Sequence, residues 1–192
     1  MAFYFDLFME QFPYMEPETE KFTRSFLILK RFDKKEFLFT SGEVQKNLSY
    51  LCRGLMIKYY INEKGNRITT GFASEGEYAT DYPSFLRQQP TKYFMECLEP
   101  SIVVQMPYEK LQDAYRSFKD SEMYGRLIAE KVLTIQTDRV ESFLFENAEE
   151  RYLSFLEKHK TIINRISLSQ LSSYIGIERQ SLTRIRSKLL KK

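Results

Sequence analysis

Residues 166–189 read ISLSQLSSYIGIERQSLTRIRSKL. Small polar and aliphatic residues recur there at three- and four-residue spacing, the period of a half-buried helix. Ser167 or Ser169 can cap a first helix whose apolar side is Leu168, Leu171 and Ile175. Gly176 ends that helix with the left-handed conformation a tight turn needs. Ile177 is the apolar residue of the turn, and Glu178 opens a second helix, where its charge suits the positive helix end. Leu182, Ile185 and Leu189 form an inward face, leaving Arg179, Gln180, Thr183, Arg184 and Arg186 outward. Two short helices joined through a glycine turn predict a helix-turn-helix. The second helix of such a unit enters the DNA major groove, its first turns against base edges.

The outward residue types suit that task. Arginine can donate two hydrogen bonds to guanine, and glutamine can pair with adenine. Arg179, Gln180 and Arg184 are therefore the candidate base readers. Ser167, Ser169, Ser181, Thr183, Arg186, Lys188 and Lys191 are candidates for phosphate oxygens. A helical hairpin with solvated charges is the alternative reading of the same residues.

The charge distribution agrees with a polyanionic partner. From Thr161 to Lys192 seven lysines and arginines face Glu178 alone, a local charge of +6 in a chain of net +3, so residues 1–160 carry −3. Such concentration points to nucleic acid. At 192 residues the chain suits one large domain or two small ones.

Upstream the texture changes. Residues 1–24 read as a helical lead-in interrupted by Pro13 and Pro17. Between about Ser25 and Pro107, short runs such as FLFT, LSYLCRGLMIKYYI, RITTGFA and SIVVQM are separated by turn signals. Gly42, Gly54, Gly65 and Gly76 recur at intervals of 12, 11 and 11 residues. Strands at such spacing predict an antiparallel sandwich or roll. NEKGN, residues 62–66, is a hairpin turn, with Gly65 free to take positive φ. After Pro107 the pattern is helical: YEKLQDAYRSF is a short helix, and Asp120-Ser121 can cap a longer one reaching about Phe145. Ile128, Val132, Ile135 and Arg139 form one stripe of that helix, in which Arg139 interrupts the apolar pattern, and Leu127, Thr134, Val140, Phe143 and Leu144 extend apolar surface around it, as a helix covered both by its own sheet and by a second copy would have. Leu127, Ile128, Val132 and Ile135 are the candidate dimer residues. Asn147 and Glu150 form a capping pattern for the next helix, and TIINRI reads as an extended connector.

Several function classes are excluded or disfavoured. Cys52 and Cys97 are too few for a disulfide framework and lack metal-ligand spacing; they read as small buried hydrophobes of a reduced protein. No run of about 18 uncharged apolar residues spans a membrane, and the acidic N-terminus MAFYFDLFMEQF does not predict a secretory signal, so the expected location is the cytoplasm. His159 is the sole histidine, with no clustered carboxylates or cysteines to make a catalytic device, a metal site or an iron–sulfur centre. No enzyme, cofactor or metal is expected.

The terminal stretch resembles the helix-turn-helix of the Crp/Fnr family of bacterial transcription regulators, on Glu178, Arg179, Gln180, Ser181, Leu182, Thr183, Arg184 and Ile185. In that family the base-reading positions match Arg179, Gln180 and Arg184, with Gln180 standing where glutamate is common. The segment FLFTSGEVQKNLSYLCRGLMIKYYINEKGNRITTGFASEGEY is similar to the family's cyclic-nucleotide-binding-like β-roll, on Gly42-Glu43, Gly54, Gly65 and Gly76-Glu77. The resemblance covers about residues 25–190. It implies an α+β chain: a roll of double-stranded β-helix type over residues 1–119 with the helical lead-in, a long dimerisation helix over 120–145, and a DNA-binding domain over 146–192. It further implies a homodimer on a pseudo-palindromic double-stranded DNA site, with RNA polymerase as a further partner and a small-molecule effector in the roll.

The pattern departs from the family in two places. Nucleotide-binding members hold the cyclic phosphate with an Arg-Ser pair, whose slot here falls near Thr91-Lys92. Cyclic AMP is therefore not the expected effector, and Glu77, Tyr78, Tyr82, Arg87, Lys92 and Tyr93 are the candidate pocket residues for another one. The family's β-hairpin wing after the recognition helix is not expected, because the sequence stops at Lys192. The competing reading is a small-molecule-binding or protein-interaction module whose terminal helices dock a protein.

Overall fold

The structure is a computed structural model that describes residues 2–189. The lead-in consists of α1 (Ala2–Met9) and α2 (Pro17–Phe26). Pro13 lies in the turn between them. Pro17 starts α2, where its missing N–H costs no helical bond. The strands are β1 (Ile28–Phe32), β2 (Phe37–Phe39), β3 (Asn47–Arg53), β4 (Met56–Ile61), β5 (Arg67–Ala73), β6 (Phe94–Cys97) and β7 (Ser101–Pro107), with the one-and-a-half-turn α3 (Tyr82–Arg87) inserted before β6.

They form two antiparallel sheets in the orders β1-β7-β3 and β2-β6-β4-β5. Most partners are distant in sequence: Ile28 pairs with Gln105, Leu48 with Met106, Met56 with Cys97. The exception is the β4–β5 hairpin, closed as predicted by residues 62–66. There Asn62 Oδ1 accepts from the N–H groups of Lys64 and Asn66, and Gly65 has φ 77°. The long apolar run around Gly54 is two strands in different sheets. Gly54 makes the crossing possible: its φ is 106°, and a Cβ there would lie 2.4 Å from Ser101 Oγ.

Three apolar clusters hold the chain. Phe8, Phe12, Tyr50, Val104 and Tyr124 join the lead-in helices to the three-stranded sheet. Phe39, Leu51, Met95 and Val103 fill the space between the sheets. Tyr152, Phe155, Ile162, Leu171, Ile175 and Leu182 form the third, which also takes Leu55, Phe72 and Leu98 from the roll. Cys52 and Cys97 are buried free thiols, and burial pushes each up to about 11.

The helical half comprises α4 (Tyr108–Ser117), α5 (Lys119–Phe145), α6 (Ala148–Lys158), α7 (Leu168–Ile175) and α8 (Arg179–Leu189). Asn147 and Glu150 make the expected capping box of α6. Three expectations are corrected. Asp120 does not cap α5. Phe118 holds that position, and the Asp120 carboxylate instead accepts from Glu16 N–H (2.9 Å) and Thr19 Oγ1 (2.8 Å), tying α2 to the base of α5. The α3 helix was not foreseen, being too short to show a helical period. TIINRI is a run of turns rather than an extended connector, because Ile162 must reach the third core while Arg165 turns back to the roll.

Candidate nucleic-acid interface and the cavity behind it

The terminal helices are built by local chemistry. Ser167 caps α7 in a capping box with Gln170: its Oγ accepts from Gln170 N–H (3.2 Å) while Gln170 Oε1 accepts from Ser167 N–H (2.7 Å). Gly176 closes α7 at φ 80°, and its N–H donates to the Ser172 and Ser173 carbonyls. Leu171, Ile175 and Leu182 are almost fully buried, and Ile185 and Leu189 pack beside them. This fixes the rotation of α8, whose Arg179, Gln180, Ser181, Thr183, Arg184 and Arg186 are all exposed. Arg179, Gln180 and Arg184 share the outer side of its first turns, within reach of one partner.

The remaining phosphate candidates differ in their freedom. Ser169 is exposed, and Ser167 is exposed but engaged as a cap. Thr183 Oγ1 donates to the Arg179 carbonyl (3.0 Å), and Lys188 Nζ pairs with Glu149 at 2.6 Å. Lys191 lies outside the described residues.

The α7 helix rests on the roll through β5. Thr69 N–H donates to Ser173 Oγ (2.9 Å), and Phe72 meets Tyr174 at 5.4 Å between ring centroids. Arg165 reaches both Glu75 and Glu99 with paired hydrogen bonds of 2.7–3.0 Å. On the other side, Arg139 of α5 lies over the Tyr174 ring at 3.7 Å and the Phe143 ring at 4.2 Å, and donates to the Tyr174 carbonyl.

Between the four-stranded sheet and α5 lies a cavity of about 840 Å³. Of the six effector-pocket candidates it takes Glu77, Tyr78, Tyr82 and Tyr93; Arg87 and Lys92 do not line it and are exposed. Arg87 ends α3 next to the half-exposed Leu86, and Lys92 follows the exposed Gln89 and Pro90, so both sit on the outer surface of their segments. Glu77 faces its own turn, its carboxylate accepting from Ser74 N–H (2.7 Å) and Ser74 Oγ (3.1 Å). Such a glutamate is a turn cap, which accords with the missing Arg-Ser pair. On the sheet side the cavity is lined by a cation that the sequence reading did not name, Lys58 of β4, while Lys131, Arg139, Arg151 and Lys158 line it from the helical side.

The α5 candidates Ile128, Val132 and Ile135 line the same cavity, while Leu127 stands outside it, 44% exposed. The most exposed aliphatic side chains of α5 are Leu133 (67%), Val140 (57%) and Leu144 (69%), at i, i+7 and i+11. That spacing keeps them on one side of a helix; the sequence reading named Val140 and Leu144 as added apolar surface but not Leu133, which also borders the cavity.

Comparison with known proteins places this architecture. Residues 29–118 match the cyclic nucleotide-binding domain. The fumarate and nitrate reduction regulatory protein of Vibrio cholerae is 25% identical over 174 residues, covering 84% of this chain and 68% of that protein. The chain thus resembles the Crp/Fnr regulators over most of its length. Among solved structures, FixK2 from Bradyrhizobium japonicum superposes with a TM-score of 0.75 at 15% identity, over 86% of this chain and 85% of that one. The global regulator CLP of Xanthomonas campestris gives 0.71 at 16% identity, over 92% of each chain. The shared fold thus extends through the roll, α5 and the terminal helices. Among the described residues no group of histidine, cysteine or carboxylate side chains could hold a metal ion, and no helix is long and apolar enough to cross a membrane.

Proposed function

We propose that this protein is a regulator of Crp/Fnr type: homodimeric, sequence-specific in its DNA binding and active in transcription. The observation that carries the reading is the rigid seating of α8. Leu182 is fully buried in the third core, so Arg179, Gln180 and Arg184 are presented together at the exposed start of a helix whose basic residues have been gathered there by the sequence. The relatives are named as regulatory proteins, which agrees. In this reading α8 enters the major groove, Arg179 and Arg184 read guanine edges and Gln180 an adenine. Ser167, Ser169, Ser181, Thr183 and Arg186 meet phosphates, and Lys188 joins them by leaving Glu149. Residues 146–192 act as the DNA-binding unit and 1–119 as the sensor. The helix α5 joins two copies through the side bearing Leu133, Val140 and Leu144, which sets half-sites roughly 34 Å apart. The cytoplasm is the compartment this requires, and RNA polymerase is the partner through which bound DNA would be read out.

Selection from a random double-stranded DNA pool tests the reading. The purified protein should enrich a two-fold symmetric motif, and an Arg179→Ala/Arg184→Ala double variant should lose it. Each single variant should cost about 1–3 kcal/mol on the selected site and relax specificity at one position. Arg186→Ala should weaken all sequences alike and lower the salt slope by about one. Selection of the same motif by the double variant would remove α8 from the groove.

A further inference from the structure

The sheet side of the cavity carries one cation, Lys58, that no carboxylate among the described residues pairs with. Lys58 projects from β4 across Gly71, where the absent side chain leaves room for its stem: a Cβ on Gly71 would already meet Lys58 Cε at 3.8 Å. The ammonium donates one long hydrogen bond, 3.4 Å to the Thr80 carbonyl, and stands 5.3 Å from the centre of the Tyr93 ring. No carboxylate among the described residues forms an ion pair with it. Burial pulls its pKa down even though Asp81 acts in the opposite sense. Asp81 itself is turned to Thr91 Oγ1 at 2.7 Å.

The other charges around this space are already committed. Arg139 is held by Tyr174, and Arg151 by the Ile175 and Glu146 carbonyls. Lys158 pairs with Asp138 (3.0 Å), and Glu146 accepts from Ser142 and Ser154. Lys131 and Glu141 stand exposed at the rim. Lys58 is half-buried, and an ammonium drawn out of water without a carboxylate partner costs folding free energy, so its presence on a cavity wall calls for a ligand that supplies the missing charge. A second unmet donor, the buried Tyr78 hydroxyl, belongs to the same wall.

We propose that the cavity binds a small organic monoanion, a carboxylate or sulfonate on an apolar or aromatic body, with the acid group on the Lys58 ammonium and the body between Tyr93, Met95, Ile128 and Val132. A single ammonium suits one negative charge, whereas a phosphate diester in such a site wants a guanidinium fork or clustered N–H donors. The apolar lining suits the rest of the molecule, as small-ligand sites combine an apolar wall with few polar anchors. The ligand would touch the roll on one side and α5 on the other, next to the Arg139 contact with α7. That last consequence rests on the regulator reading; the binding itself does not.

The test is a titration without DNA, using two fluorescent probes of similar shape. One is 8-anilinonaphthalene-1-sulfonate, an organic monoanion; the other is uncharged N-phenyl-1-naphthylamine. The sulfonate should saturate near one per chain. Lys58→Met should weaken it by about tenfold or more, near 1.4 kcal/mol, and leave the neutral probe unchanged, while Lys58→Arg should retain both. Lys58→Met should also melt at the same or a higher temperature, because a half-buried charge without an ion-pair partner has been removed; this shows the variant folded. Equal sulfonate binding by Lys58→Met, parallel loss of both probes, or no sulfonate binding at all would overturn the proposal. Displacement of the sulfonate by micromolar cyclic AMP would overturn the ligand class. A failed DNA selection beside a successful titration would reject the regulator reading alone.

Discussion

The guanidinium of Arg139, near the end of the long helix, lies 3.7 Å over the ring of Tyr174 and donates to that residue's backbone carbonyl. Phe143 closes the other side at 4.2 Å. One side chain of α5 thus holds the last turn of α7, the helix that positions the recognition helix. Arg139→Met keeps most of the apolar stem but loses the stacking and the charged hydrogen bond. It should lower stability by about 1–3 kcal/mol, read as a shift in the urea midpoint. An unchanged midpoint would mean that α7 is seated by its apolar contacts alone.

Gly176 should be the least replaceable residue of the terminal helices. It combines φ 80° with a virtual Cβ only 2.8 Å from Phe143 Cε1. The backbone part of a Gly176→Ala change should cost roughly 1–2 kcal/mol, with a steric part added. A double-mutant cycle separates them: in a Phe143→Ala background the same change should cost only the backbone part. Equal costs in the two backgrounds would show that the Phe143 ring gives way freely.

His159 should make the docked terminal helices sensitive to acid. It packs against Phe155 at 4.7 Å between ring centroids, and burial lowers its pKa, with Lys158 and Arg139 adding to the effect and Glu77 opposing it. The folded state therefore favours the neutral ring. Its contribution is complete above the unfolded value of about 6.5 and is lost as pH falls through the lowered folded value. The melting temperature should fall as pH drops from about 7 to 5, and His159→Gln should flatten that fall. A wild-type curve already flat in this range would show that the ring is solvated when charged.

The terminal helices were legible because their signals are local. Ser167 (one of the two cap candidates), Gly176, and the Leu182–Ile185 spacing each act within one or two turns, and the structure uses them in those roles, while the return bond from Gln170 was not foreseen. The roll was legible as a class from its turn spacing, but not in its strand order, since β7 pairs with β1 and β3 across most of the chain. Lys58 escaped notice because its burial is imposed from outside β4, by Thr80 and Tyr93 more than twenty residues later. Arg139 reads as a flaw in an apolar stripe until Tyr174, thirty-five residues on, is brought beneath it. In both cases the charge has a partner surface that only tertiary structure supplies. Val140 and Leu144 were read as apolar surface but not joined with Leu133 into one row for a related reason: α5 is apolar on several sides, and its own sequence does not say which side the roll will take.

The strongest polar link between the terminal unit and the roll is Arg165, whose fork meets Glu99 (2.7 and 3.0 Å) and Glu75 (2.9 Å twice). Glu75 in turn accepts from Gly54 N–H at 2.8 Å, at the crossing between the two sheets. This geometry needs a planar, five-donor group, so Arg165→Lys should behave nearly like Arg165→Met despite keeping the charge. Exposed ion pairs contribute little, but these hydrogen bonds are bidentate and the arginine is only 23% exposed. A loss of about 1–2 kcal/mol is expected after allowing for solvent screening. Hydrogen bonding from Arg165 lowers the Glu99 pKa. Its contribution is therefore present above the ordinary glutamate range, near 4.3, and disappears as pH falls through the lowered value. Arg165→Met should consequently lose stability at neutral pH yet approach the parent protein in strong acid. Parallel pH curves for the two proteins would show that the fork is a crystal-like ornament of the surface with no energetic hold on the terminal helices, and full rescue by lysine would show that charge rather than shape maintains the link.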